Sequence, residues 1–233
     1  PFILHHSSKP SDIYVRTETL NMSEEKTAYN IGSRKSKLAM IQSRDVMAQL
    51  QAIHPTYSFQ IHEQETLGDK VLDVALSKIG DKGLFTQELE DGLKTGAVDF
   101  AVHCLKDMPT RLPEGLIIGA ILERANPIDV VLMRSDLAAA GVTTLEQLNS
   151  SSSPEAVVCV GTSSLRRQSQ LQASYPNLKC IDIRGNLDTR IKKLENRDFS
   201  AGAPNYSAII LASAGLERQG AEYTSRVTQV LSE

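Results

Sequence analysis

The basic residues of this chain recur just downstream of short apolar runs, a placement suited to holding carboxylates. Thr162, Ser163 and Ser164 follow the run Ala156 to Val160, and Arg166 and Arg167 come soon after. A helix opening there would offer free N–H groups, a favourable dipole and three hydroxyls to an anion. Arg184 follows the run Cys180 to Ile183, Gly185 comes next, and Arg190 lies in the first turns of the following helical pattern. Arg218 follows Ser213-Ala214-Gly215, after the run Ala208 to Ala212. Neighbours on a helix point about 100° apart, so Arg166 and Arg167 are expected to serve different carboxylates. Arginine suits the task because its planar fork binds a carboxylate through two hydrogen bonds and stays charged. A single arginine reads equally well as a solvated surface residue. Several at corresponding places point to a polycarboxylate held in a basic cleft.

The first half repeats the device. Gly32-Ser33-Arg34-Lys35-Ser36 opens a helical pattern that includes Gln42, again with a hydroxyl and an arginine at its start. After the run Asp99 to His103 come Cys104, Lys106 and Asp107. As a bare dipeptide Lys106-Asp107 reads as an ion pair in a turn, and His103 as a structural histidine. No HExxH, paired CxxC, P-loop or GxSxG spacing occurs, so no metal site, P-loop nucleotide site or serine hydrolase is expected.

These residues need elements to hold them. Lys35 to Ile53 has helical spacing, Tyr57 to Glu63 alternates as a strand does, and Leu84 to Lys94 is helical again. Between them, 66–83 is rich in glycine and charge and is expected to be a mobile loop. Strands are expected at Asp99 to His103, Leu116 to Leu122 and Asp129 to Met133, with a domain crossover near Pro127. Thr143 with Glu146 forms a capping-box pattern. Strands at Ala156 to Val160, Cys180 to Ile183 and Ala208 to Ala212 then alternate with helices ending at Ser174 and Glu195. Such alternation predicts mainly parallel sheets flanked by helices, with ligands at the carboxyl ends of the strands. No internal repeat is evident in the sequence.

The 233 residues are 41% hydrophobic and 23% charged, with a net charge of -3, so the chain is not a generally basic nucleic-acid binder. Leu116 to Leu122, one of the longest apolar runs, is too short for a bilayer, and no membrane association is expected. Cys104, Cys159 and Cys180 are odd in number, widely spaced and set in apolar stretches, which predicts reduced thiols of a cytoplasmic protein. Residues 1–30 lack an apolar signal core and are expected to form an unstructured leader, with Met22 a candidate native start.

Seven segments together resemble porphobilinogen deaminase, also called hydroxymethylbilane synthase. They are GSRKSKLAMIQ (32–42), TLGDK (66–70), SKIGDKGLFTQELE (77–90), VDFAVHCLKDMPT (98–110), VGTSSLRRQSQL (160–171), IRGNLDTRIKKL (183–194) and AIILASAGLER (208–218), in the family's order. The resemblance implies an α/β fold of two periplasmic-binding-protein-like (type II) domains with a cleft between them. Here they would be domain 1 at 31–126, lacking its returning strand, and domain 2 at 127–233. A third, C-terminal α+β domain is expected to be absent from this chain.

The resemblance also implies a chemistry. The family is a transferase of haem and porphyrin biosynthesis, cytoplasmic and expected to be monomeric. It condenses four porphobilinogen molecules on a covalent dipyrromethane cofactor, releasing ammonia and finally hydroxymethylbilane. Asp107 matches the catalytic carboxylate. Arg34, Ser36, Gln42, Cys104, Lys106, Thr162, Ser163, Ser164, Arg166, Arg167, Arg184, Gly185, Arg190 and Arg218 match cofactor- and substrate-binding positions. Gly68, Asp69 and Lys70 match the lid, and Phe85 an aromatic near the cofactor. Family members usually carry Ser where this chain has Cys104, a weaker donor, so reduced cofactor affinity is expected. The cysteine that anchors dipyrromethane lies in the third domain, so this chain alone is expected to be inactive. A non-catalytic anion-binding module of the same fold is the competing expectation.

Overall fold

The computed structural model describes residues 2–5, 26–66, 86–151, 158–197 and 204–231. They divide into two compact units, one ending at Glu123 and the other beginning at Arg124.

The first unit is built on a sheet of β1 (Phe2–His5), β2 (Ala28–Arg34), β3 (Ser58–Gln64), β4 (Phe100–Val102) and β5 (Leu116–Ala120), in the order β3-β2-β4-β1-β5. Strands β3, β2 and β4 pair in parallel, while β1 runs antiparallel to both β4 and β5. Helix α1 (Lys37–Ile53) covers one face, where Val46 meets Ile31, Phe100 and Val102. Helix α2 (Gln87–Lys94) covers the other, where Leu89 and Leu93 meet Ala101 and Leu116. The alternation Phe100, Ala101, Val102 therefore feeds two cores at once, as a strand buried on both faces must. Its residues are all buried.

The second unit repeats this plan. Its sheet contains β6 (Asp129–Met133), β7 (Val158–Gly161), β8 (Leu178–Ile181), β9 (Tyr206–Ala212) and β10 (Gln229–Val230), in the order β10-β6-β9-β7-β8. Strands β8, β7 and β9 are parallel, and β6 is antiparallel to β9 and β10. Helices α3 (Ser135–Ala139), α4 (Leu145–Ser150), α5 (Leu165–Ser174), α6 (Leu187–Glu195), α7 (Ser213–Glu217) and α8 (Ala221–Thr224) flank it. Val131 and Met133 pack with Leu145, Leu148 and Leu171 on one face. Val130 and Leu132 pack with Leu194, Leu216 and Tyr223 on the other. Leu194 and Leu216 are fully buried, each worth about 1.5–3 kcal/mol.

Both sheets share one plan, with the reversed strand second from one edge. The expectation of mainly parallel sheets holds for strand direction with one correction: each sheet inserts one reversed strand among four that run together. The leader expected to lack structure contributes β1, and β2 begins at Ala28. The capping box closes one residue later than expected. Thr144 is the extended residue whose hydroxyl accepts from the Gln147 N–H, while the Gln147 amide accepts from the Thr144 N–H.

Candidate functional site

Parallel pairing of β7 with β8 and β9 makes three loops leave one edge of the second unit. The first loop shapes itself. Thr162 is buried, and its hydroxyl accepts the Ser164 N–H at 3.2 Å. The Ser163 hydroxyl donates to the Ile183 carbonyl at 3.0 Å and accepts the Ile183 N–H at 3.1 Å, tying this loop to the one after β8. Ser164 caps α5, its hydroxyl facing the Arg167 N–H at 3.5 Å. These three hydroxyls, expected to face an anion, are engaged in holding the loop.

The second loop turns on Gly185. Its φ is +111°, and a Cβ there would lie 2.6 Å from Thr189 Cγ2, so only glycine fits. Its carbonyl accepts from Arg190 Nε at 2.8 Å. Arg184 is buried, and its carbonyl accepts from Lys193 Nζ at 3.1 Å. Asn186 caps α6 through the Thr189 N–H at 2.9 Å. Arg218 follows α7 and is exposed.

Arg166 and Arg167 do not diverge to separate partners as expected; both reach Asp129. Arg167 donates through Nε at 2.9 Å and Nη2 at 2.7 Å to the two carboxylate oxygens, and through Nη1 to the Ile210 carbonyl at 3.0 Å. Arg166 donates to Asp129 at 2.7 Å and to Gln170 at 3.1 Å. Two long side chains about 100° apart can meet because Asp129 Oδ2 accepts from both, from Arg167 Nε and from Arg166 Nη2. Burial pushes the Asp129 carboxyl up, but the hydrogen bonds and charges of Arg167 and Arg166 outweigh it and hold its pKa below the usual value.

In the first unit, parallel β2 and β4 bring their own following loops to one edge. Ser36 caps α1, accepting the Ala39 N–H at 3.4 Å, and Arg34 and Gln42 are half-buried nearby in sequence. Ser33 is fully buried and accepts from the Ser43 hydroxyl at 2.7 Å, pinning the second turn of α1 to β2. After β4, Leu105–Asp107 form a single 3₁₀ turn closed by the Asp107 N–H on the Cys104 carbonyl at 2.9 Å. Lys106 is exposed and Asp107 half-buried. Among the described residues no ion pair joins them. The plain turn-pair reading of that dipeptide is therefore withdrawn: neighbouring side chains in a 3₁₀ turn leave it in different directions.

The family model described as "Porphobilinogen deaminase, dipyromethane cofactor binding domain" matches residues 29–233. The chain belongs to this family. It is 51% identical over 203 residues to the porphobilinogen deaminase of Gloeobacter violaceus, covering 87% of this chain and 56% of that protein. It is 50% identical over 188 residues to that of Synechococcus elongatus (81% and 54%) and 47% identical over 210 residues to that of a Nostoc species (90% and 59%). The chain thus spans a little over half the length of these relatives. Among solved structures it resembles the Bordetella pertussis BvgS VFT2 domain, with a TM-score of 0.42 and 12% identity over 89% of this chain and 76% of that one.

Measured against the family motifs, Arg34, Ser36, Cys104, Lys106 and Asp107 all lie beyond strand ends of the first unit, or at the very end in the case of Arg34. The arginines of the second unit do the same. Gly68, Asp69, Lys70 and Phe85, matched to the lid and its surroundings, lie outside the described residues. Among the described residues no group of three His, Cys, Asp or Glu side chains could hold a metal ion, and no helix is long and apolar enough to cross a membrane. Asp129 was not among the residues singled out from the sequence. Its signal was an acid opening an otherwise apolar strand, Asp129 to Met133, right after Pro127-Ile128.

Proposed function

We propose that this chain is the pyrrole-binding part of a porphobilinogen deaminase, which condenses four porphobilinogen molecules head to tail, with loss of ammonia, to give hydroxymethylbilane. The observation that carries this reading is an acid among bases. Asp107 ends a turn beside Lys106, at the sheet edge that also carries Arg34 and Ser36. A receptor for anions has no use for a carboxylate there, whereas a reaction that expels ammonia develops positive charge that a fixed carboxylate stabilises. The same carboxylate can also manage protons of the incoming pyrrole.

The donor set fits a dipyrromethane, whose rings carry acetate and propionate. Arg34, Lys106, Arg166, Arg184, Arg190 and Arg218 are the cations that would hold those carboxylates, and Ser36, Gln42 and Cys104 would donate hydrogen bonds. Thr162, Ser163 and Ser164 shape the loop that opens α5, whose first turn carries Arg166, and Gly185 the loop around Arg184. When bound, the cofactor supplies the pyrrole chain onto which new units are added. The same reading makes the protein a cytoplasmic monomer of porphyrin biosynthesis.

The test is mass spectrometry of the full native protein together with an assay of porphobilinogen consumption, before and after Asp107→Asn. The expected result is an added dipyrromethane mass and a loss of turnover of about 100-fold or more in the variant. An unmodified, inactive wild type would favour the anion-binding module, and an active Asp107→Asn would remove Asp107 from the chemistry.

A further inference from the structure

Arg166 and Arg167 are chemically identical neighbours, yet the structure treats them differently. Arg167 gives one whole edge of its guanidinium, Nε and Nη2, to the two oxygens of Asp129, and Nη1 to the Ile210 carbonyl. Its side chain is 14% exposed and that of Asp129 is 11% exposed. Arg166 makes a single contact to the same carboxylate, and its side chain is 61% exposed. Asp129 itself is fixed, because it pairs with Ala212 in the β6–β9 ladder and its carbonyl accepts the Leu231 N–H at 2.9 Å.

We infer that Asp129 is a positioning residue for this arginine pair: it seats Arg167 and leaves Arg166 as the guanidinium that exchanges onto a ligand carboxylate. The physical reason is asymmetry of exchange. A two-point charged contact shielded from water is slow to give up, while a one-point contact in water is weak and easily replaced. One carboxylate facing two guanidiniums also leaves positive charge uncompensated at this edge, which draws an anion in. Arg167 then serves as the scaffold for Arg166 at the start of α5, with its fork already filled. The inference about ligand rests on the reading under Proposed function; the seating of Arg167 does not.

The experiment uses the full native protein with Asp129→Asn, and Asp129→Glu as the variant that keeps the charge. Phenylglyoxal modification, followed residue by residue in peptides by mass spectrometry, reports how free each guanidinium is. In the wild type Arg166 should react much faster than Arg167. Asp129→Asn, nearly the same shape without the charge, should speed modification of Arg167 several-fold, and Asp129→Glu should restore part of its protection. In the turnover assay Asp129→Asn should raise the KM for porphobilinogen by on the order of ten-fold, with a smaller change in kcat. Equal reactivity of the two arginines in the wild type, or an Arg167 that stays protected in Asp129→Asn with KM unchanged, would overturn the inference. A wild type that consumes no porphobilinogen would defeat the proposed activity alone, since the modification rates still decide whether Asp129 seats Arg167.

Discussion

Ser163→Ala should destabilise the protein although Ser163 sits among the residues matched to ligand binding. Its hydroxyl is both donor and acceptor to one residue, bonding the Ile183 carbonyl at 3.0 Å and the Ile183 N–H at 3.1 Å. Ile183 is 1% exposed, so water cannot easily replace the lost partner. A buried backbone group left unsatisfied costs about 1–3 kcal/mol. With two groups affected and a half-buried hydroxyl site through which some solvent can enter, the expected loss is about 2 kcal/mol, or about 4–8 °C in Tm for a chain of this size. Urea unfolding followed by circular dichroism measures it. Ser164→Ala is the internal control, because its capping contact to the Arg167 N–H is long at 3.5 Å and should be worth at most about 1 kcal/mol. A loss at Ser163 below about 0.5 kcal/mol, or no larger than that at Ser164, would refute the argument that this hydroxyl binds two strand ends together.

Gly185→Ala combines a backbone at φ +111° with a Cβ 2.6 Å from Thr189 Cγ2, so a loss of about 2 kcal/mol or more is expected in the same urea titration. Adding Thr189→Ser should recover part of it by removing the methyl, and leave the backbone strain and the 2.8 Å approach to the Cβ of residue 189. Asp129 has a lowered pKa in the fold, so the stability it contributes is full above its unfolded value near about 4 and is lost as pH falls through the folded value. The stability gap between wild type and Asp129→Asn should therefore be wide at about pH 6 and narrow toward about pH 3. Tyr175 behaves oppositely: the hydrogen bond it donates to Glu146 pushes its pKa up to about 12, so its contribution is present below about pH 10 and is lost as pH rises through that value. A Tyr175→Phe variant compared with wild type across that range reads it out.

Periodicity located most elements because the strands and helices here obey one pattern each. Asp129 to Met133 was placed to the residue, and the helices ending at Ser174 and Glu195 were placed at their last residues. Strand β8 was expected at Cys180 to Ile183 but is Leu178–Ile181, because Ile183 leaves the ladder to bond Ser163. Helices of four or five residues, α3 and α8, were too short to show a period. Strand β10, Gln229–Val230, has only two residues and exists by pairing with β6. The duplicated sheet plan was also invisible, since shared topology leaves no repeat in sequence when the cores use different residues. At the site, the arginines were legible as residues but not their partners. A helical-wheel argument separates Arg166 from Arg167 by angle, and says nothing of a carboxylate brought in from a strand 37 residues earlier than Arg166.

That carboxylate arrives where it does because β6 is the reversed strand of its sheet. Strands β7, β8 and β9 run together, so each presents its last residue to the loop edge, and any charge they place there must sit on a loop. An antiparallel strand inserted beside them presents its first residue to the same edge instead. Asp129 is that first residue, locked opposite Ala212, the last residue of β9. The sheet can thus fix a carboxylate within a hydrogen-bonded ladder at an edge where the first turn of α5 supplies cations. A ladder position moves little, whereas Arg166 and Arg167 reach it through long side chains from the first turn of α5, so the counter-charge is the rigid partner and the arginines the adaptable ones. This ordering predicts that lengthening the acid by one methylene, as in Asp129→Glu, disturbs Arg167 more than Arg166. The two-point contact needs both oxygens in register, and the one-point contact does not.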